Sequence, residues 1–463
     1  MGASVSNEGT IEVARGSAGL VSSDRITVDF VGDGLTQFTI PAGSEAAQAL
    51  VHNSGTITAN GGRIALMAAD SFGALVVNQT GTLRANTLES RNGEIILSAG
   101  RTTKADGTAA YGNSALYVSN TSTIEATGGQ VRTYSGQDIT VSNNPPFGFS
   151  GNSPSAPSDG GSIINAAVLG ATLGSAAGVT LESAALRTFS EGGPSSAGNG
   201  VRFDAGAQVL KTQGGTATLT VNSARNIEMA ANSVISSSSG ALNVDFNADA
   251  QGAALPDALP IDPFGEGSQG GAIVMSGARI DSNGGNIRFY GQGDPVNGRA
   301  VGGRDAVGNW TVDGVRLSNS TLNTCIGVDT CGGSGSISLR GQGDTGTFPD
   351  SSQMQSGAGV GLSASFLIAG GNVAVDGRGA LGAFGVSIIG APPRDLLSEA
   401  AFVGPGPSGI GSASGNISIN GATRGWSASD TTTPDPALVS GPSGGVGIGG
   451  TPVIALQGDV RIT

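Results

Sequence analysis

The chain has 463 residues, of which 80 are glycine, 12% are charged and 4% are aromatic, whereas an ordinary globular domain has about 25% charged residues and about 7% glycine. With 22 lysines and arginines against 35 aspartates and glutamates the net charge is -13, so no basic surface exists to displace counterions from a phosphate backbone, and nucleic acid is not an expected partner. No run approaches the roughly 20 consecutive apolar residues that span a bilayer, so no membrane insertion is expected either.

Residues 1–143 hold the most regular pattern. Val51-His52-Asn53-Ser54-Gly55-Thr56-Ile57 followed by Gly61-Gly62-Arg63-Ile64-Ala65-Leu66 reads as strand, turn and strand. Its apolar residues alternate with Thr, Arg or Ala at the period of a pleated strand with one dry face. Val5 to Ile11, Val76 to Leu83 and Val118 to Ile124 repeat the first half of this unit. The polar or small segments 37–49 and 101–113 interrupt it and are expected to be corner insertions. Four prolines between 144 and 160 remove ladder donors, which predicts a long surface loop there. Alternation returns from 162 to 246, and a second proline-rich loop is expected over 255–267.

From 272 onward a second form of the unit takes over. Gly285-Asn286-Ile287-Arg288-Phe289, Gly335-Ser336-Ile337-Ser338-Leu339, Gly371-Asn372-Val373-Ala374-Val375, Gly415-Asn416-Ile417-Ser418-Ile419 and Gly458-Asp459-Val460-Arg461-Ile462 match position by position. By subtraction, their glycines lie 50, 36, 44 and 43 residues apart. A constant local pattern at unequal spacing predicts equal coils carrying unequal insertions, because a stacked repeat accommodates extra residues only at its corners. The expectation is an all-β solenoid in three stretches, 1–143, 144–271 and 272–463, forming one continuous object of about 16 to 20 coils. The first pattern begins at Val5 and the last stops at Thr463, so both ends are expected to lie inside a longer solenoid.

The long inserts at 294–313, 344–357, 391–407 and 422–442 are expected to leave after the same strand and to emerge along one edge. They carry Trp310, Phe348, Phe402 and Trp426, whose faces suit sugar rings or partner chains, or else fold back over the coil beneath. Asn7, Asn53, Asn78 and Asn120 recur at one position and are expected to form a structural amide ladder at a left-handed corner. Cys325 and Cys331 either staple a loop in an oxidising compartment or remain two small free residues. The one histidine, His52, aligns with Ser6, Val77 and Ser119, and no Gly-x-Ser-x-Gly elbow accompanies it. Asp294 and Asp344 recur in Gly-Gln-Gly-Asp, where turn aspartates are expected in preference to stacked catalytic or calcium-binding carboxylates. No catalytic residue, metal or cofactor is therefore expected.

The Val-x-Asn-x-Gly-Thr-Ile-x-Ala run, the segment Asp24 to Leu35, and Gly61 to Leu66 followed by Val76 to Gly100 resemble the filamentous haemagglutinin family of two-partner secretion exoproteins. The resemblance is specific over 1–143, which is similar to the carboxyl-terminal part of that family's secretion domain, and looser to 463. The asparagine-proline-asparagine-glycine turn found early in that domain has no match here. For this chain the resemblance implies a right-handed parallel β-helix with lateral loops. It also implies export from a Gram-negative bacterium through an outer-membrane partner transporter, and an adhesive role at the cell surface. A secreted adhesin segment that contacts glycans or a host-surface receptor is the first expectation. A polysaccharide-degrading β-helix and a passive shaft are the alternatives.

Overall fold

The computed structural model describes residues 2–30, 36–44, 50–71, 75–89, 92–143, 161–184, 200–250, 271–304, 310–311, 313–326, 331–343, 345–347, 354–379, 383–390, 408–423, 445–449 and 451–463. Among them the chain is mostly β, with long parallel sheets and one α-helix. It divides into two compact units, one of Met1–Pro194, Gly200–Asn222 and Val234–Ala241, the other of Ser195–Asn199, Ser223–Ser233 and Leu242–Thr463.

Over residues 4–135 of the first unit each repeat gives one strand to each of three parallel sheets. Leu50–Asn53, Thr56–Thr58 and Arg63–Ala68 form one such repeat, and each strand pairs in register with its counterpart in the next. Ile64, Ile95, Val131 and Val179 stack in one column of the second sheet, and all are at most 2% exposed. Each such side chain removed from water contributes about 1.5–3 kcal/mol. Alternation thus puts the same face inward at every layer.

The first sheet has a break in chain order. Ser162–Asn165 lies between Ala115–Val118 and Ile139–Ser142, although it follows both in sequence. The helix α1, Ala166–Ser175, comes next and packs against Thr123–Glu125 and Gln208–Lys211, occupying a place where other repeats have a third-sheet strand. Asn165 caps it by accepting a hydrogen bond from the Val168 N–H at 3.1 Å. The expectation of alternating strands over 162–246 fails here. Ala, Val, Leu and two glycines four residues apart make a thin, mostly apolar helix whose Thr172 and Ser175 hydroxyls bond back to its own carbonyls, and a Cβ on Gly170 would sit 2.6 Å from the Leu210 backbone.

The second unit also has three parallel sheets. The five matched segments of the sequence are register partners: Ile287, Ile337, Val373, Ile417 and Val460 form one column. Their leading glycines are dictated by close approach, since a Cβ on Gly335 would lie 2.5 Å from the Gly285 carbonyl oxygen. Phe246 and Phe289 stack face to face with ring centroids 5.0 Å apart. Beside them runs a ladder in which side-chain oxygens accept main-chain N–H bonds from the next layer. Asn243 accepts from Asn286 at 2.9 Å, Asn286 from Ser336 at 2.9 Å, Asn372 from Asn416 at 2.8 Å and Asn416 from Asp459 at 2.9 Å.

Three expectations need correction. Among the described residues the first sheet contributes seven strands in one unit and six in the other, below the about 16 to 20 coils expected for the whole chain. Segments 37–49 and 101–113 are not plain corners: Thr36–Thr39 pairs antiparallel with Thr27–Phe30, and Arg101–Thr103 with Ala109–Tyr111. Finally, the insert at 391–407 follows Val386–Ile389, a first-sheet strand, whereas the inserts at 294, 344 and 422 follow second-sheet strands. The four inserts therefore do not leave from one edge.

Candidate functional site

The outward face of the second sheet in the first unit carries a cleft of about 350 Å³. Its floor comes from alternate residues of three neighbouring strands: Arg63, Ala65 and Met67; Glu94, Ile96 and Ser98; Arg132 and Tyr134. The strand period that sends Ile64, Leu66, Ile95 and Leu97 inward sends these outward. One wall is the hairpin segment Gln37 to Ile40, whose Phe38 ring lies over Gly19, where a Cβ would be 2.8 Å away. Phe38 and Ile26 also pack on a cluster of Val21, Ile40, Ala65, Met67 and Ala69. Arg101 and Thr103 continue the lining, with the Thr103 N–H donating to the Ile40 carbonyl at 2.8 Å.

Charge in the cleft is uneven. Glu94 receives Arg63 Nε at 2.6 Å on one oxygen and faces Arg132 Nε at 3.4 Å with the other. Arg101 stacks its guanidinium 4.5 Å above the Tyr134 ring centroid. Behind it, the Tyr111 hydroxyl donates to Glu182, a carboxyl that burial pushes above its ordinary range while the Arg101 charge pulls it back. The parallel geometry thus gathers three arginines into one recess of an acidic chain. Each arginine is isolated in sequence, so only the register brings them together.

The residues singled out in the sequence fall elsewhere. Phe348, Phe402 and Trp426 lie outside the described residues. Trp310 begins a short strand paired antiparallel with Gly303–Arg304, and its side chain is outside the description. Asn7 donates to Asn53 at 2.8 Å, Asn53 donates to Gln79 at 3.0 Å, and Gln79 donates to the Gly81 carbonyl at 2.8 Å. The ladder is therefore Asn7, Asn53 and Gln79. Asn78 falls one place short because Val77, not Val76, pairs with Val51, and Asn120 is exposed beyond the end of Ala115–Val118. None of these amides has the expected left-handed backbone. Asn7 and Asn53 sit instead at buried strand ends.

Cys325 and Cys331 are joined by a disulfide with Cα atoms 4.7 Å apart. His52 pairs with Ser6 and Asn78, and its Nδ1 is buried without a hydrogen-bond partner, so no carboxylate orients it there. Asp294 accepts N–H bonds from Val296 at 2.8 Å and Asn297 at 3.1 Å, which hold its carboxyl below the usual range. It is a turn aspartate. Asp344, its partner in the alternative stacked arrangement, lies outside the described residues, but the chain leaves the ladder after Gly291 and returns at Ala300 to pair with Gly341, so the two Gly-Gln-Gly-Asp segments are not in register. Among the described residues no group of three or more His, Cys, Asp or Glu could hold a metal ion, and no helix is long and apolar enough to cross a membrane.

No family model matches the chain, and no curated protein matches it.

Proposed function

We propose that this chain is a segment of a secreted, surface-associated adhesin of a Gram-negative bacterium. Each unit is a right-handed parallel β-helix, and an outer-membrane partner transporter exports the protein. The observation that carries this reading is the in-register stacking of three parallel strands per repeat over the same stretch, 1–143, whose residues resemble the haemagglutinin family. Such stacking offers rigid, broad outer faces with hairpins and loops laid on them, a construction suited to display and contact. A non-catalytic role is supported by His52 Nδ1, which no carboxylate orients, and by Asp294, whose oxygens are engaged in its own turn.

The test is attachment. Beads coated with the folded chain are expected to adhere to animal cells, while beads coated with heat-denatured chain do not. Equal attachment of both preparations, or of neither, would leave a passive shaft and sink the adhesin reading.

A further inference from the structure

The cleft of the first unit contains polar groups that its own fold does not satisfy. Ser98 is 1% exposed, and its Oγ has no hydrogen-bond partner; neither has the buried Nε of Arg101. An unmet buried donor costs about 1–3 kcal/mol, and buried polar groups of this kind mark places where something else bonds them. Ser98 stands beside Tyr134 across the ladder, and Arg101 lies over that same ring, so both unmet groups face one end of the recess.

Charge says what kind of molecule belongs there. Arg63, Arg101 and Arg132 line the cleft with Glu94 as the one acidic lining residue, while Glu182 lies behind Arg101, so the recess carries a positive excess in a chain of net charge -13. Both Glu94 oxygens are already engaged by Arg63 and Arg132. Arg101 lines the cleft and is stacked on Tyr134, with its Nε buried and unpartnered. A guanidinium held in this way suits a planar carboxylate, which it can meet with two parallel N–H bonds. The remaining wall, Phe38, Ile40, Ala65, Met67 and Ile96, is apolar, and a volume near 350 Å³ sits at the small end of organic-ligand pockets. A ring-sized body with one acidic group fits these requirements.

We infer that the cleft binds a single acidic sugar residue, a hexuronate, with its carboxylate on Arg101 and Ser98 and its ring against the apolar wall. The inference rests on the adhesion reading and deepens it, naming uronate-bearing glycans as the class contacted.

Isothermal titration of the whole chain with glucuronate, with glucose as the neutral counterpart and inorganic sulfate as the bare anion, tests it. Glucuronate should saturate with a Kd on the order of 1 mM, glucose should not saturate, and sulfate should bind more weakly than glucuronate. Arg101→Gln should weaken glucuronate at least tenfold, whereas Arg84→Gln, whose residue pairs with Glu125 outside the cleft, should leave it unchanged. Should Arg101→Gln fold poorly, Ser98→Ala carries the test, with severalfold weaker binding and a melting temperature that does not fall, since the unmet hydroxyl is removed. Equal binding of glucose, sulfate as tight as glucuronate, or full binding by the variants overturns the assignment. Cell attachment without glucuronate binding would sink the cleft and spare adhesion; glucuronate binding without attachment would do the reverse.

Discussion

Asn53 is fully buried and bonded to both neighbouring layers through one amide, donating to Gln79 and accepting from Asn7. Asn53→Ala leaves the Asn7 donor and the Gln79 acceptor unmet, and a loss of about 2 kcal/mol is expected in denaturant unfolding. Asn120→Ala, which touches no ladder, should cost under about 0.5 kcal/mol. Asp249 gives a pH-dependent case. Burial raises its carboxyl to about 6, against a hydrogen bond from the Gln292 side chain. Its folded value lies above its unfolded one, so the native state binds more protons between about 4 and about 6, and stability falls as pH rises through that window. Asp249→Asn should therefore stabilise the chain at pH 7.5 by about 1 kcal/mol, after allowing for solvent screening of a partly exposed group. The gain should vanish near pH 4. A gain that persists at pH 4 would point to packing instead of charge.

At the level of elements, α1 depends on Gly170 to lie close to Leu210 and on Gly174 to lie close to Gln213. Gly170→Val would drive a side chain into the Leu210 backbone, and a loss of about 2–3 kcal/mol is expected from thermal or denaturant melts. A neutral result would mean that the helix can lift away. This helix was illegible in the sequence because Ala-Ala-Val-Leu-Gly-Ala-Thr-Leu-Gly-Ser has no polar face to set a period of 3.6 residues, and its glycines read as turns. The strands were legible, down to register in the second unit, because Gly285, Gly335, Gly371, Gly415 and Gly458 mark one tight corner of each layer. The amide ladder was legible only to within one residue. A bulge between Ala115 and Leu116 and the doubled valine at Val76 and Val77 shift the count without changing the pattern. The ladder along Asn243, Asn286, Asn372 and Asn416 carried a readable signal, the Asn that follows each of those tight-corner glycines in three of the five matched segments, whose bonding role the strand period alone does not reveal.

Across the molecule, the parallel sheets explain why a chain with so few charged and aromatic residues folds at all: identical small side chains stack, and the backbone bonds run from layer to layer. The arginine cleft shows what sequence cannot carry. Arg63, Glu94, Arg101 and Arg132 are separated by about one repeat or less, and each alone reads as a solvated strand position; stacking makes them one site. Adhesion by the folded outer faces of the parallel sheets is the role proposed for this chain. The most direct measurement is retention of the folded chain on a broad glycan panel, beside its heat-denatured form. Selective retention of the folded chain on acidic glycans is the predicted result, and retention on none, or equally with the denatured control, would contradict the account.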